Sequence, residues 1–102
     1  MTVTVFIHYQ IDSFKRDLFE EYARCWHEII PANKGDLLGY WMPHEGTNDI
    51  AYALIPFDSL ATYEAYRERF KADEAGATNF GFAESEQFIQ LETRTFLRKV
   101  KA

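Results

Sequence analysis

The element order is decided by the stretch Lys34-Gly35-Asp36-Leu37-Leu38-Gly39-Tyr40-Trp41. It follows an amphipathic segment that ends at Pro31 and precedes a turn-forming stretch at residues 45–49. Gly35 suits the exit of a helix, because glycine adopts backbone angles that other residues avoid. Residues 37–43 then have the composition of a strand. The order around this stretch is therefore strand, helix, strand, strand and helix.

The first strand is predicted over residues 3–10, where the side chains alternate as in a half-buried strand. One face carries Val3, Val5, Ile7 and Tyr9, and the other carries Thr4, Phe6, His8 and Gln10.

Two amphipathic helices are predicted after this strand. Asp12 or Ser13 is placed to cap the first, and Asp58 or Ser59 the second. Because a proline disfavours helical geometry at the residue before it, we expect the first helix to end at Pro31. The inner stripe of the first helix is Phe14, Leu18, Tyr22, Cys25 and Ile29, widened by Phe19, Trp26 and Ile30. That of the second is Leu60, Tyr63, Tyr66 or Arg67, and Phe70.

The rest of the chain supplies two more strands. Residues 50–57 are rich in alanine and aliphatic side chains, which predicts a third strand buried on both faces. Residues 73–88 predict a short helix or a compact loop. Residues 89–97 form the last strand, with Leu91, Thr93, Thr95 and Leu97 on one face and Glu92, Arg94 and Phe96 on the other.

These elements predict one α+β domain over residues 1–102, a ferredoxin-like β-α-β-β-α-β sandwich with a four-stranded antiparallel sheet. Both helices would cover one face of the sheet. The other face, if it carries Phe6, is poorly suited to water. Pairing two such faces would bury it, so we expect a homodimer in the form of a dimeric α/β barrel, with a higher oligomer as the alternative.

Composition excludes several classes of partner. The chain of 102 residues has a net charge of −5, which disfavours nucleic acid. No apolar run approaches the roughly 20 residues of a membrane span, and no targeting segment is expected at the N-terminus. Cys25 is the single cysteine, so a disulfide framework is not expected. We therefore expect a cytoplasmic protein. Aromatic residues make up 17% of the chain, enough that some rings should line a pocket or an interface.

The order of these features resembles the NIPSNAP family, within the dimeric α+β barrel superfamily. The resemblance rests on the helix with Trp26 that ends at Pro31, on Gly35 followed by Leu38-Gly39-Tyr40-Trp41, and on the helix entry Phe57-Asp58-Ser59-Leu60. Asp73-Glu74 is similar to part of the family's Asp-Pro-Glu-Trp segment, whereas Phe6-Ile7-His8 stands where the family usually has charges. The resemblance implies a ferredoxin-like protomer and a homodimer, and it implies no agreed reaction.

Three residues are candidates for acid–base or anion-binding chemistry. His8 lies mid-strand beside apolar neighbours and could carry a proton near neutral pH, although a hydrogen-bonded interior histidine is the alternative. Glu92 and Arg94 share one face of the last strand. If that face is the inner one, they would converge with His8 into an anion clamp beside a proton carrier. Otherwise they form an edge or inter-subunit ion pair.

Aromatic side chains are the candidates for ligand binding. Tyr40 and Trp41 point to opposite faces of their strand, and with Phe6 they could line a pocket for an aromatic or otherwise apolar molecule. A core or interface role is the alternative. Cys25 falls on a helix stripe and is interpreted as a core residue rather than a nucleophile. Three scattered histidines predict no metal site, and without phosphate or dinucleotide motifs no cofactor is expected.

Three functions remain open from the sequence. The first is a homodimeric barrel that binds a small apolar or aromatic molecule, either without reaction or with acid–base chemistry on that molecule. The second is a cofactor-independent monooxygenase, an activity found in the same superfamily as the resemblance. The third is a non-enzymatic interaction module in which the dimer itself is the functional product.

Overall fold

A computed structural model describes residues 2–102 of the chain. Its strands and α-helices are β1 (Val3–Ile11), α1 (Arg16–Ala32), β2 (Gly39–Trp41), β3 (Ile50–Phe57), α2 (Leu60–Lys71), α3 (Glu74–Glu86) and β4 (Ile89–Arg98). A short 3-10 turn, Ser13–Lys15, leads into α1. In this part of the chain none of the helices is long and apolar enough to cross a bilayer.

The strands form one antiparallel sheet in the order β2-β3-β1-β4. The predicted α+β, ferredoxin-like arrangement is confirmed, because β1 and β3 occupy the centre of the sheet. Each helical connection starts from one of these strands, passes over the other and reaches the edge strand beyond it. The register places His8 of β1 beside Tyr52 of β3 and Thr93 of β4. Residues paired in this way point to the same face of the sheet.

The two faces of the sheet differ in cover. One, called here the helix face, buries Val5, Ile7 and Tyr9 of β1 with Ala51 and Ala53 of β3 beneath the helices. The other, called here the open face, carries the alternate residues and has no covering element within residues 2–102.

The prediction that β3 is buried on both faces is wrong for the single chain. Ala51 and Ala53 are fully buried, but Tyr52 between them is 38% exposed on the open face. The aliphatic composition that suggested two-sided burial is therefore shared between the core and an exposed apolar surface. The predicted alternation of β1 and β4 is confirmed by their register.

Helix α1 packs on the sheet through a stripe close to the predicted one. Its buried members are Phe19, Tyr22, Ala23, Trp26, Ile29 and Ile30. Phe14, expected in the stripe, is instead 97% exposed. It lies in the 3-10 turn capped by Asp12, where the helical period does not yet apply. Cys25 is only partly buried, at the margin of the stripe.

The end of α1 differs slightly from expectation, since the helix includes Pro31 and continues to Ala32. Pro31 lacks an N–H but falls in the last turn, where the Asn33 and Gly35 amides donate to the Ile30 carbonyl at 3.1 and 2.9 Å. Gly35 leaves this turn in close contact with the core. A Cβ there would lie 2.6 Å from Ile30 Cγ2 and 2.9 Å from Tyr66 Cε1.

The segment after α2 forms a full helix rather than the predicted short helix or loop. The Asp73 side chain accepts from the Ala75 amide at 3.0 Å, which caps α3, and Gln87 ends it with a φ of 53°. Only Gly76 and Asn79 of α3 are buried. The weak apolar periodicity of the segment hid the helix from sequence reasoning.

Candidate functional site

A cavity of about 120 Å³ lies between the helix face and the three helices. Its walls are mostly rings and branched aliphatic side chains, because the inner stripes of β1, α1 and α2 are rich in tyrosine. The tyrosines that line it are Tyr9, Tyr22, Tyr40, Tyr63 and Tyr66. We call this space the helix-side cavity.

Three rings from three helices form one wall of the helix-side cavity. Trp26 of α1 lies 5.1 Å from Phe70 of α2 and 5.1 Å from Phe80 of α3, measured between ring centroids. Phe70 and Phe80 are 5.4 Å apart and nearly perpendicular, at 86°. Edge-to-face contacts of this kind are a favourable arrangement of aromatic rings, so the three side chains form one apolar wall.

Two hydrogen-bonded groups of polar atoms line the helix-side cavity. In the first, the hydroxyls of Tyr9 and Tyr40 lie 3.2 Å apart and form a hydrogen bond. Burial raises the pKa of both phenols well above the ordinary value, with a further contribution to each from the charge of Glu92. Both are therefore neutral hydrogen-bonding groups at physiological pH and not bases.

The second polar place is Arg94 of β4. Its Nε donates to Glu92 Oε2 at 3.1 Å, and its Nη1 donates to the Tyr63 hydroxyl at 3.3 Å. Burial lowers the pKa of the guanidinium, but the opposing charge of Glu92 and the hydrogen bonds from Tyr63 and Glu92 outweigh that effect, so the net shift is upward. Arg94 thus keeps its charge beside an aromatic cavity.

Within the described part of the chain, no histidine, cysteine or carboxylate lines the helix-side cavity. Burial also raises the pKa of Tyr66 to about 12. The lining therefore offers shape, hydrogen bonds and positive charge, but no side chain that ordinarily exchanges a proton near neutral pH.

The open face holds a second aromatic group. Phe6 stacks on Tyr52 with centroids 5.4 Å apart, and the His8 ring meets the same tyrosine edge-on at 5.4 Å. Trp41 pairs with Tyr52 in the β2–β3 register and is 47% exposed. With Leu91 and Leu97, which are 56% and 43% exposed, these residues make an apolar surface.

The structure divides the predicted site residues between these two places. Phe6, His8 and Trp41 lie on the open face, whereas Tyr40, Glu92 and Arg94 lie on the helix face. The expected convergence of His8 with Glu92 and Arg94 does not occur, because His8 pairs with Thr93 and the residues on either side of Thr93 point the opposite way. The prediction that Tyr40 and Trp41 point to opposite faces is confirmed, because Tyr40 pairs with the buried Ala53 and Trp41 with the exposed Tyr52.

Several lining residues were not singled out from the sequence. Tyr63, Tyr66 and Phe70 were predicted only as the inner stripe of α2, and Phe80 only as part of the segment 73–88. A usable indication was present in the phenol groups themselves. A core stripe that repeats tyrosine instead of leucine must provide space or partners for hydroxyls.

Neither Cys25 nor a metal centre adds to the site. Burial, with a contribution from Glu21, raises the pKa of the Cys25 thiol, which disfavours a thiolate nucleophile. Among residues 2–102 there is no group of three histidine, cysteine or acidic side chains placed to hold a metal ion.

The fold and the cavity define a ferredoxin-like domain with an aromatic chamber under its helices. The NIPSNAP family model matches residues 4–102, and the chain belongs to the NIPSNAP family. The predicted family resemblance is thereby confirmed. No functionally curated protein matches the chain in sequence.

Solved structures of similar fold include further members of this family. A NIPSNAP family protein from Agrobacterium tumefaciens matches with a TM-score of 0.78 at 17% identity, over 98% of this chain and 94% of that one. An uncharacterized NIPSNAP domain protein from Burkholderia xenovorans matches with a TM-score of 0.75 at 20% identity, over 96% and 94%. A putative antibiotic biosynthesis monooxygenase from Nitrosomonas europaea matches with a TM-score of 0.69 at 13% identity, over 99% and 100%.

Proposed function

We propose that this NIPSNAP protein binds a small aromatic molecule in the helix-side cavity. The observation that supports this is the wall of Trp26, Phe70 and Phe80 around a space of about 120 Å³. Apolar cavities of about 150 Å³ in protein cores bind single aromatic rings. Ligand pockets commonly combine such apolar walls with a few polar groups, a role that Tyr9, Tyr40 and Arg94 fill here.

The test is binding of single-ring probes to the purified protein. Toluene, phenol and benzoate would each be titrated while the ring resonances of Trp26 and Phe80 are followed by NMR. We expect saturable shifts at one site per chain from at least one probe. The variant Ile55→Phe, which fills the cavity from β3, should weaken that binding, whereas Val100→Phe on the exposed tail should not. Shifts confined to Phe6 and Tyr52 would place binding on the open face and refute the proposal.

We also propose that the protein acts as a homodimer joined through the open face. The apolar surface there supports this, since monomeric proteins rarely leave such contiguous patches in water. A second copy is the natural cover, because a twofold axis through the patch buries the same residues on both subunits. In such a dimer Phe6, His8 and Trp41 would line the interior of the barrel, and an acid–base role for His8 would belong to that space.

Oxidation of the bound molecule by dioxygen is the second candidate, and the non-enzymatic module is the third. The neighbour from Nitrosomonas europaea is named as a putative antibiotic biosynthesis monooxygenase. In this chain a charged guanidinium beside an aromatic cavity would favour the anionic form of a phenolic substrate, which supports such chemistry. Oxygen consumption with a hydroquinone would separate the candidates. Uptake that Ile55→Phe abolishes favours turnover, and binding without uptake favours a carrier.

A further inference from the structure

We infer that the ligand of the helix-side cavity is a single-ring aromatic carboxylate, held with its ring among the aromatic walls and its carboxylate at a basic rim. This inference rests on the proposed function and specifies the chemistry of the ligand. The rim is defined by Arg67 and Lys71 of α2 together with Arg94 of β4, all of which line the cavity.

The charge of the lining is opposite to that of the whole protein. The chain has 16 acidic and 11 basic residues, yet three basic residues line the helix-side cavity and no acidic ones do. A local excess of positive charge in an acidic protein raises the local concentration of anions and repels cations. Arg94 pairs with Glu92 at 3.1 Å and Lys71 with Glu68 at 3.5 Å, so the three basic groups and these two carboxylates together leave one net positive charge to attract an anion.

Arg67 and Arg94 meet at one side chain, which places them at the same end of the cavity. The Arg94 Nη1 donates to the Tyr63 hydroxyl at 3.3 Å, while the guanidinium carbon of Arg67 lies 5.8 Å from the centroid of the Tyr63 ring. Lys71 follows Arg67 by one helical turn and so lies on the same side of α2. A carboxylate near Tyr63 would be within the field of all three groups.

Arg94 has hydrogen-bonding capacity to spare. Its Nε is used by Glu92 and its Nη1 by Tyr63, but among residues 2–102 its Nη2 atom has no hydrogen-bond partner. Guanidinium groups bind carboxylates strongly, because two N–H donors match two oxygen acceptors. The side chain is 37% exposed, so it lies at the rim and not in the sealed interior.

The size of the cavity limits the ring system. At about 120 Å³ it is somewhat smaller than the cavities of about 150 Å³ that accommodate benzene, so one ring fills it and a fused ring system does not fit. The carboxylate then lies outside the aromatic walls. A benzoate-like anion satisfies both conditions, whereas an aliphatic dicarboxylate would place charge against Trp26 and Phe80.

Glu92 supplies an internal check on this inference. Its carboxylate pairs with the Nε of the Arg94 guanidinium. It would repel a bound anion while leaving the affinity for a neutral ligand almost unchanged. Glu92→Gln should therefore strengthen the binding of an anion selectively. A merely structural role for the ion pair would weaken all ligands alike.

The experiment compares benzoate with benzamide, its neutral isostere, by calorimetric titration at low salt. We expect benzoate to bind roughly tenfold more tightly or better, a preference that shrinks as the ionic strength rises. Arg94→Gln should abolish the preference and retain benzamide binding, whereas Arg98→Gln, four residues further along the same strand and outside the cavity lining, should leave it intact. Glu92→Gln should increase it.

The outcomes distinguish failure of the carboxylate inference from failure of the proposed aromatic binding. Equal affinity for benzoate and benzamide in the wild-type protein overturns the carboxylate inference but leaves aromatic binding standing. No binding of any single-ring probe overturns the proposed function itself. If Arg94→Gln does not give the wild-type circular dichroism spectrum, Arg67→Gln on the exposed surface of α2 takes its place. An unchanged preference in that variant together with no salt dependence also refutes the inference.

Discussion

Gly35 and Gly81 should respond in opposite directions to the same added methyl group. A Cβ on Gly35 would lie 2.6 Å from Ile30 Cγ2, 2.9 Å from Tyr66 Cε1 and 3.1 Å from the Ile30 carbonyl oxygen. Neither of the two closest atoms can move freely, since one is on a buried β-branched side chain and the other on a buried ring. Gly35→Ala must therefore displace the end of α1 or the ring of Tyr66.

The expected cost follows from the known penalty of overpacking. Inserting a methyl group into a well-packed region typically costs about 1–3 kcal/mol in the free energy of unfolding. For a domain near 100 residues this corresponds to a decrease in Tm of about 4–8 °C per kcal/mol. Gly81 lies within α3, and apart from its chain neighbours and the nearby backbone of its own helix no atom of residues 2–102 lies within 4 Å of its Cβ position. Gly81→Ala should therefore stabilise the protein by about 0.5–1 kcal/mol, because alanine favours the helix.

Urea unfolding followed by circular dichroism at 222 nm measures both changes, and equal m-values show that the unfolded states are comparable. The pair is matched in chemistry and differs only in surroundings. A Gly35→Ala variant as stable as the wild type would show that the turn after α1 can relax without cost. A destabilised Gly81→Ala would show that α3 is not a regular helix in solution.

Four further predictions test other parts of the structure. Phe6→Glu should convert a dimer to monomers, as measured by sedimentation velocity. Phe14→Glu, which changes a fully solvated ring, should leave the dimer intact. Wild-type protein that is monomeric at high concentration would refute the proposed dimer. Tyr40→Phe should lower the free energy of unfolding by about 0.5–1.5 kcal/mol, because the Tyr9 hydroxyl loses its partner, and an unchanged value would mean that water replaces it. Asn79→Ala should lower the free energy of unfolding by about 1–3 kcal/mol, since the Asn79 Nδ2 donates to the buried Tyr22 carbonyl at 3.0 Å. Urea unfolding measures this change, and Thr78→Ala on the exposed side of α3 is the control. For Tyr9, Tyr22, Tyr40 and Tyr66, burial raises the pKa in the folded state, so above about pH 10 the unfolded chain alone releases those protons. Each of these tyrosines should then lower the stability by about 1.4 kcal/mol per pH unit until its own raised pKa is reached, and absorbance at 295 nm showing their ionisation before unfolding would contradict this.

Much of the architecture could be predicted from the sequence because the strands and the first helix have strong periodicity. β1 alternates without interruption, and the apolar stripe of α1 has few competing positions. Gly35 and Gly39 also act as local markers. Gly39 begins β2 with a φ of 155°, a backbone angle that side chains rarely allow, so the strand starts where glycine permits it.

α3 was predicted only as a short helix or a compact loop, and its full length was missed for a physical reason. Its residues Gly76, Ala77, Thr78 and Gly81 have low helix propensity or small apolar surface, so neither propensity nor periodicity identifies the segment. Its position depends instead on polar contacts made far along the chain. The Asn33 side chain donates to the Asp73 carboxylate, which caps α3, and the Asn79 amide reaches the Tyr22 carbonyl.

The candidate site was predicted only in part, because strand parity does not reveal which face of a sheet the helices cover. Arg94 and Tyr40 were identified, but Arg94 was expected to act with His8, from which the sheet itself separates it. The helix-side cavity depends on how the three helices pack over the sheet. That packing joins distant segments and leaves no local pattern in the chain.

The shallow burial of α3 lowers the free energy that is needed to open this helix locally. Elements with little buried apolar surface open at the lowest free energy, so the amides of α3 should exchange with deuterium before those of β1 or α1. Phe80, a wall of the helix-side cavity, belongs to this helix. Transient detachment of α3 would then open the helix-side cavity. The rates at which ligands enter and leave would be set by this local unfolding and not by diffusion through the rim.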